Sequence, residues 1–411
     1  MRVLHQHTQL LTELAMLIER CKHELAEANS DDVRTNFGVN ADNVERGIAT
    51  LRSYASMHID TKRLPRGGIA IYSCYGDPSL VTLGMSLAPA LLANGSELPI
   101  YLYFPSLLKA YKEVFLQMIS KNDSFRNIHV IDSSKAFFDK AINDPIVDTC
   151  LVYGDEWIDE YLVPFRENKK NLLFFGPGNN TAVITDNDNM QARANDIATM
   201  ACILSGQAAV CLKRVVLSDT VNASEFTNML KSAMMKQKKG LNPHTDFVTP
   251  ILYHSLVSHA EHMIEHAVNN GAEVWSYSAI DTVFGTLLTP SLIIEPDLNS
   301  QLWQNYHFIP ALSLISCHHH NIPHVVNTNN YKLAVSIYGD RHVYHKLKHM
   351  FSAQHAFVFH NSNFLDIMTT NKGYTGYWGG FGKSAFWYSY ENNYQPVQGM
   401  FNIYEVFTKT R

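Results

Sequence analysis

Four apolar runs with helical stretches between them constrain this chain more than any other feature. Ile69-Ala70-Ile71-Tyr72-Ser73-Cys74, Leu98-Pro99-Ile100-Tyr101-Leu102-Tyr103, Ile128-His129-Val130-Ile131 and residues 148–153 read as buried strands. Helices are predicted at 79–93 and 107–118, and another between residue 131 and the fourth run. Strands that are apolar on both faces and alternate with helices make a parallel, doubly wound sheet. Ahead of them, Leu10, Leu11, Leu14, Leu17, Ile18, Cys21 and Leu25 recur at three- and four-residue steps, which predicts a helix over 8–29. Val44, Ile48, Leu51 and Tyr54 predict a second helix over 42–57.

The alternation restarts near residue 172. Leu172-Leu173-Phe174-Phe175 leads through a Gly/Asn turn to Ala182-Val183-Ile184, a helix over 190–205, a strand over 214–217, and helices near 223–236 and 250–270. The fold class is therefore α/β with two doubly wound lobes. The division expected is 1–171 for the first lobe, 172–375 for the second, and 376–411 for a return segment ending in a strand at 402–409. With 411 residues, 46% of them hydrophobic, the chain can bury cores of that size.

Charge narrows the partners. Lys and Arg number 33 against 38 Asp and Glu, a net charge of −5, so nucleic acid is not an expected partner. The opening Met1-Arg2-Val3-Leu4-His5-Gln6-His7 has no apolar core of a leader, and the apolar stretch 80–93 is interrupted by Thr82, Gly84, Ser86 and Pro89. No membrane partner is expected. Six cysteines (21, 74, 150, 202, 211 and 317) lack paired spacing, which suits reduced thiols and a cytoplasmic location.

Ordered motifs then carry a resemblance. Residues 64–70 (Leu-Pro-Arg-Gly-Gly-Ile-Ala), Cys74-Tyr75-Gly76-Asp77-Pro78, the helix 87–95, Phe104-Pro105-Ser106, Val152-Tyr153-Gly154 and Phe175-Gly176-Pro177-Gly178-Asn179-Asn180 follow one another in the first part. Ser205-Gly206-Gln207 with Arg214-Val215-Val216, Asn270-Gly271-Ala272-Glu273-Val274, residues 288–292, Tyr377-Trp378-Gly379-Gly380-Phe381-Gly382-Lys383-Ser384 and residues 404–409 follow in the second. In this order they resemble the aldehyde dehydrogenase superfamily. The resemblance implies a Rossmann-like cofactor domain, a catalytic-type domain, a cysteine thiolate that attacks a carbonyl, and NAD or NADP as hydride acceptor.

Carried over position by position, the chemistry is missing. The nucleophile falls on Ala209, the general base on Phe175 and the oxyanion-holding Asn on Gly76. The cofactor's ribose contacts fall on Phe104 and Tyr306, and the pyrophosphate turn reads Gly154-Asp155-Glu156. Carboxylates there are expected to cap the helix themselves and repel a phosphate. The resemblance thus implies a pseudoenzyme, with no cofactor expected, that acts as a scaffold, regulator or small-molecule binder. The alternative is an NAD- or NADP-dependent aldehyde or acyl oxidoreductase rearranged around Cys211, two residues past Ala209.

Other features carry less. Cys317-His318-His319-His320 with His324 lacks a carboxylate or cysteine pair at ligand spacing, so no metal is expected. Trp378, Phe386, Trp387 and Tyr388 around the glycines at 379, 380 and 382 read as core packing near the family's substrate tunnel. Lys236-Gln237-Lys238-Lys239 reads as a solvated helix end. There is little room between Tyr54 and Pro65 for the family's long tetramer-forming hairpin. A homodimer through the C-terminal strand is therefore expected, with a different protein partner left open.

Overall fold

Two parallel sheets are built from the apolar runs, in a computed structural model that describes residues 2–57, 62–364, 366 and 376–410. The first sheet has the order Ala385–Tyr388, Asn171–Phe175, Val147–Tyr153, Gly68–Tyr72, Ile100–Tyr103, Ile128–Ile131. All its pairings are parallel except that Ala385–Tyr388 runs antiparallel to Asn171–Phe175. Ile71, Ile100, Leu102, Leu151 and Leu173 are wholly buried, as strands covered on both faces require.

The second sheet runs Phe357–His360, Ala334–Tyr338, Asn180–Ile184, Leu212–Ser218, Ala311–Cys317, Ser291–Ile294, Glu273–Trp275, with only the last strand antiparallel to its neighbour. The switch between sheets comes after Phe175. The boundary expected at 171/172 is thereby corrected, because Asn171–Phe175 pairs with Val147–Tyr153 in the first sheet. Residues 385–388 of the return segment also belong to that sheet.

Helices Arg2–Arg20, Lys22–Val33 and Phe37–Ser56 pack on the first lobe. The single helix expected over 8–29 is interrupted at Cys21, and the second begins earlier than its apolar stripe, where Asn36 caps Val39 N–H at 3.1 Å. The helix Phe37–Ser56 crosses the segment Pro78–Leu87 closely. A Cβ on Gly47 would lie 2.5 Å from Ser79 O, so only glycine permits the approach. That segment is π-helical, with Ala88 N–H bonded to Leu83 O, five residues back, before an α-helix continues over Ala88–Asn94.

The end of the chain differs from expectation. Ile403–Phe407 is a helix, and only Thr408–Thr410 is a strand, paired antiparallel with Arg63–Pro65 of the same chain. Ile403, Tyr404, Val406 and Phe407 are all buried, a spacing that suits a helical face packed on the first core. Among the described residues no helix is long and apolar enough to cross a membrane.

Candidate functional site

Strand ends of the first sheet build one wall of a cavity. Gly68–Tyr72 runs on into Ser73-Cys74-Tyr75-Gly76-Asp77, Val147–Tyr153 into Gly154-Asp155, and Asn171–Phe175 into Gly176-Pro177. The carboxyl edge of a doubly wound sheet is where ligands are held. The second lobe supplies Leu204, residues 207–210, Tyr253, Leu256 and Phe308, and the return segment adds Trp378. The space between them is about 360 Å³, the size of a small-molecule site.

Lys213 fixes the second wall. It is buried, and its ammonium donates to Gly206 O at 2.7 Å and Ile309 O at 2.9 Å, which ties the 204–210 loop to the segment carrying Phe308. Burial lowers its pKa.

The charged side chains of the cavity, Asp77 and Asp155, sit on the first wall. Asp77 is 8% exposed and caps the π-helical segment, with Oδ1 accepting from Leu80 N–H at 3.1 Å. Its second oxygen has no hydrogen-bond partner among the described residues. Burial pushes the Asp77 carboxyl up to about 6, opposed by the Leu80 N–H and by the charge of Arg46. Cys74 also lines the cavity, and burial pushes its thiol up to about 11. The Tyr153 hydroxyl meets Ser86 Oγ at 2.8 Å, whereas the buried Tyr75 hydroxyl has no hydrogen-bond partner among the described residues.

Cys74, Tyr75 and Asp77 were not picked out as site residues from the sequence. The available signal was their place directly after a buried strand of a doubly wound sheet, with Asp77-Pro78 as a helix start.

The aldehyde dehydrogenase family model matches residues 130–401. The chain belongs to this family. Solved structures agree on the fold at low identity. Lactaldehyde dehydrogenase from Escherichia coli is similar at a TM-score of 0.85 and 16% identity, over 100% of this chain and 86% of that one. An apo betaine aldehyde dehydrogenase variant from Staphylococcus aureus is similar at 0.85 and 15%, over 100% and 82%. Glyceraldehyde-3-phosphate dehydrogenase GapN from Methanocaldococcus jannaschii, complexed with NADP, is similar at 0.81 and 16%, over 99% and 88%. No curated protein matches the sequence.

Most of the residues that the sequence resemblance assigned to family positions meet in the cavity. Gly76, Gly154, Asp155, Phe175 and Ala209 all line it. The nearest atom to a Cβ placed on Gly76 is Leu204 Cδ1 at 4.0 Å, so the space for a side chain there is open. Phe175 packs on Tyr153 with ring centres 5.5 Å apart. Cys211 does not line the cavity. It is fully buried, its Sγ donates to Ile203 O at 3.4 Å, and burial raises its pKa. The structure thus corrects the idea of a chain bulge that carries Cys211 into the site.

The residues at the dinucleotide positions do not fit a pyrophosphate. A Cβ on Gly154 would lie 2.6 Å from Trp157 Cζ2, so the indole already covers the turn. Asp155 Oδ1 accepts Trp157 N–H at 3.2 Å, using a donor that an anion would need. Glu156 accepts from the Tyr331 hydroxyl and Lys383 Nζ, and these two partners, Lys383 first, lower its pKa. Tyr306 packs edge-on to Tyr331 at 4.8 Å, and its hydroxyl pKa is raised by burial and then by Asp155. Phe104 lies in the first core against Tyr111 and Phe115, away from the cavity.

One sequence expectation about the histidines changes. A carboxylate does join them, since Asp219 Oδ2 lies 2.6 Å from His318 Nδ1 and Asp219 Oδ1 lies 3.7 Å from His319 Nδ1. Among the described residues, no group of three or more His, Cys, Asp or Glu side chains could hold a metal ion. The aromatic return segment divides: Trp378 lines the cavity, whereas Phe386 stacks on Phe174 at 4.6 Å.

Proposed function

We propose that this member of the aldehyde dehydrogenase family is a pseudoenzyme toward aldehydes. In this reading it binds a small molecule between its lobes and serves as a scaffold, regulator or sensor. Ala209 on the cavity wall carries the reading. Aldehyde oxidation through a covalent intermediate needs a sulfur at that position to bond the carbonyl carbon, and a methyl group cannot do so. In a comparable covalent enzyme, loss of the nucleophile lowers the rate by about 10⁶. Phe175 takes no proton, and Gly76 has no side-chain amide to hold an oxyanion; one such donor is worth about 10² to 10³ in rate. Trp157 over Gly154 and the engaged carboxylates of Asp155 and Glu156 support a protein without a dinucleotide cofactor. The burial of Cys211 disfavours the oxidoreductase reading built on it.

Calorimetric titration with NAD⁺ and NADP⁺, with aldehydes then added and reduced nucleotide followed by absorbance, tests the reading. No heat at millimolar nucleotide and no reduced nucleotide are expected. Micromolar nucleotide binding with turnover would overturn it.

A further inference from the structure

We infer that the cavity is built for an organic cation, an amine or quaternary ammonium group carried on an apolar or aromatic body. The inference rests on the small-molecule reading above and names the ligand class. Its walls are aromatic on both sides of the lobe junction, with Tyr75, Tyr153 and Trp157 from the first lobe, Tyr253 and Phe308 from the second, and Trp378 from the return segment. Tyr75 and Tyr253 stand at 74° to each other with ring centres 5.7 Å apart, so two ring planes meet near a right angle at the wall. Such faces carry the negative end of a quadrupole and attract a desolvated cation.

Full charges in the lining have one sign. Asp77 and Asp155 line the cavity, and among the described lining residues there is no Lys, Arg or His. An anionic ligand would therefore meet two carboxylates and no cation.

Asp77 is the more telling of the two. It is nine-tenths buried, forms no salt bridge among the described residues, and keeps one oxygen unbonded. Arg46, whose charge acts on it, spends its guanidinium on Asn43 Oδ1 at 2.9 Å and lies 3.9 Å from Asp42. Asp77 thus feels the Arg46 charge without a direct ion pair, and a ligand ammonium in the cavity would supply a nearer counter-charge.

The test compares phenyltrimethylammonium with its neutral shape-match, tert-butylbenzene, and with benzoate. Binding to the full chain is followed by calorimetry and by the fluorescence of Trp157 and Trp378. The cation is expected to bind about tenfold or more tightly than the neutral compound at pH 8, with no benzoate binding. Asp77→Asn keeps a good helix cap while removing the charge, and is expected to close most of that gap. Tyr253→Leu, at the partly exposed rim, is expected to weaken the cation more than the neutral compound and serves if the Asp77 variant fails to fold. Equal binding of cation and neutral compound, or preference for benzoate, overturns the cation inference while small-molecule binding stands. Binding of none of the three overturns the inference too. The pseudoenzyme reading is judged separately by the nucleotide titration.

Discussion

The Glu156 carboxylate of the first lobe accepts the hydroxyl of Tyr331, 175 residues further on in the second lobe. Lys383, from the return segment, donates to the same oxygen. Three parts of the chain therefore meet at the turn after Val147–Tyr153, and the turn's negative charge is used to join the lobes.

This joint has a pH dependence. Glu156 has its pKa lowered below 4.5 by Lys383 and Tyr331, so its contribution is present above the unfolded value and fades as pH falls through the folded one. Because Glu156 and Lys383 are about half exposed, the contribution is about 0.5–1 kcal/mol. Glu156→Gln and Tyr331→Phe are each expected to lower the melting temperature at pH 7. For Glu156→Gln the difference from wild type should shrink as pH falls below 4.5. Scanning calorimetry across that range decides it, and an equal deficit for Glu156→Gln at all pH values would remove the carboxylate from the account.

Thiol reactivity separates Cys74 from Cys211. Cys211 is fully buried and bonded to Ile203 O, so iodoacetamide is expected to leave it unmodified in the folded protein. Cys74 faces the cavity with its thiol pushed up to about 11. Its labelling should be slow at pH 7 and rise about tenfold per pH unit up to pH 10, following the thiolate fraction. Mass spectrometry of time points reads both rates. Fast labelling of Cys211 would revive the oxidoreductase reading.

The sheets were legible in the sequence because their strands are apolar on both faces, as in Ile69-Ala70-Ile71, and such runs leave few alternatives. The closing segment was not. Ile403, Tyr404, Val406 and Phe407 form an apolar run too short for its period to tell helix from strand, and packing on the first core decides for helix. Motif order assigned Gly76, Phe175 and Ala209 to family positions, yet the cavity that these residues line could not be read from it. Its lining comes from segments as remote as Asp77, Tyr253 and Trp378, and only the folded chain sets Asp77 in an aromatic wall. Asp219 beside His318, 99 residues apart, was hidden for the same reason.

On the proposed pseudoenzyme reading, a sulfur placed at position 209 alone is not expected to give aldehyde dehydrogenase activity. In Ala209→Cys the thiol would stand on the cavity wall, but Phe175 still cannot take its proton and Gly76 still lacks the side-chain amide. With Trp157 over Gly154, hydride transfer to a nucleotide is also not expected. The measurement is reduced nucleotide formed from an aldehyde panel, compared with wild type. Turnover by this single variant would show that the pocket is poised for the family chemistry and sink the pseudoenzyme reading.

Asp77 makes the clearest stability prediction. Its carboxyl is raised from 3.8 to about 6, so between those values the folded chain holds a proton that the unfolded chain has released. Stability therefore falls as pH rises through that window, and the deficit is complete above it. The groups that face Asp77 are the Leu80 N–H, Arg46 on the crossing helix, and the neutral Cys74, Tyr111 and Tyr153; none forms an ion pair with it among the described residues. Asp77→Asn retains the cap to Leu80 and discards a buried charge that Arg46 offsets only in part, so it is expected to be more stable than wild type at pH 8 by about 2 kcal/mol. At pH 3.5, where the aspartate is protonated, the gap should vanish. Urea unfolding at both pH values measures it. A variant less stable than wild type at pH 8 would mean that the Asp77 charge already has its counter-charge in the folded chain, and the case for a cationic ligand would lose its strongest residue.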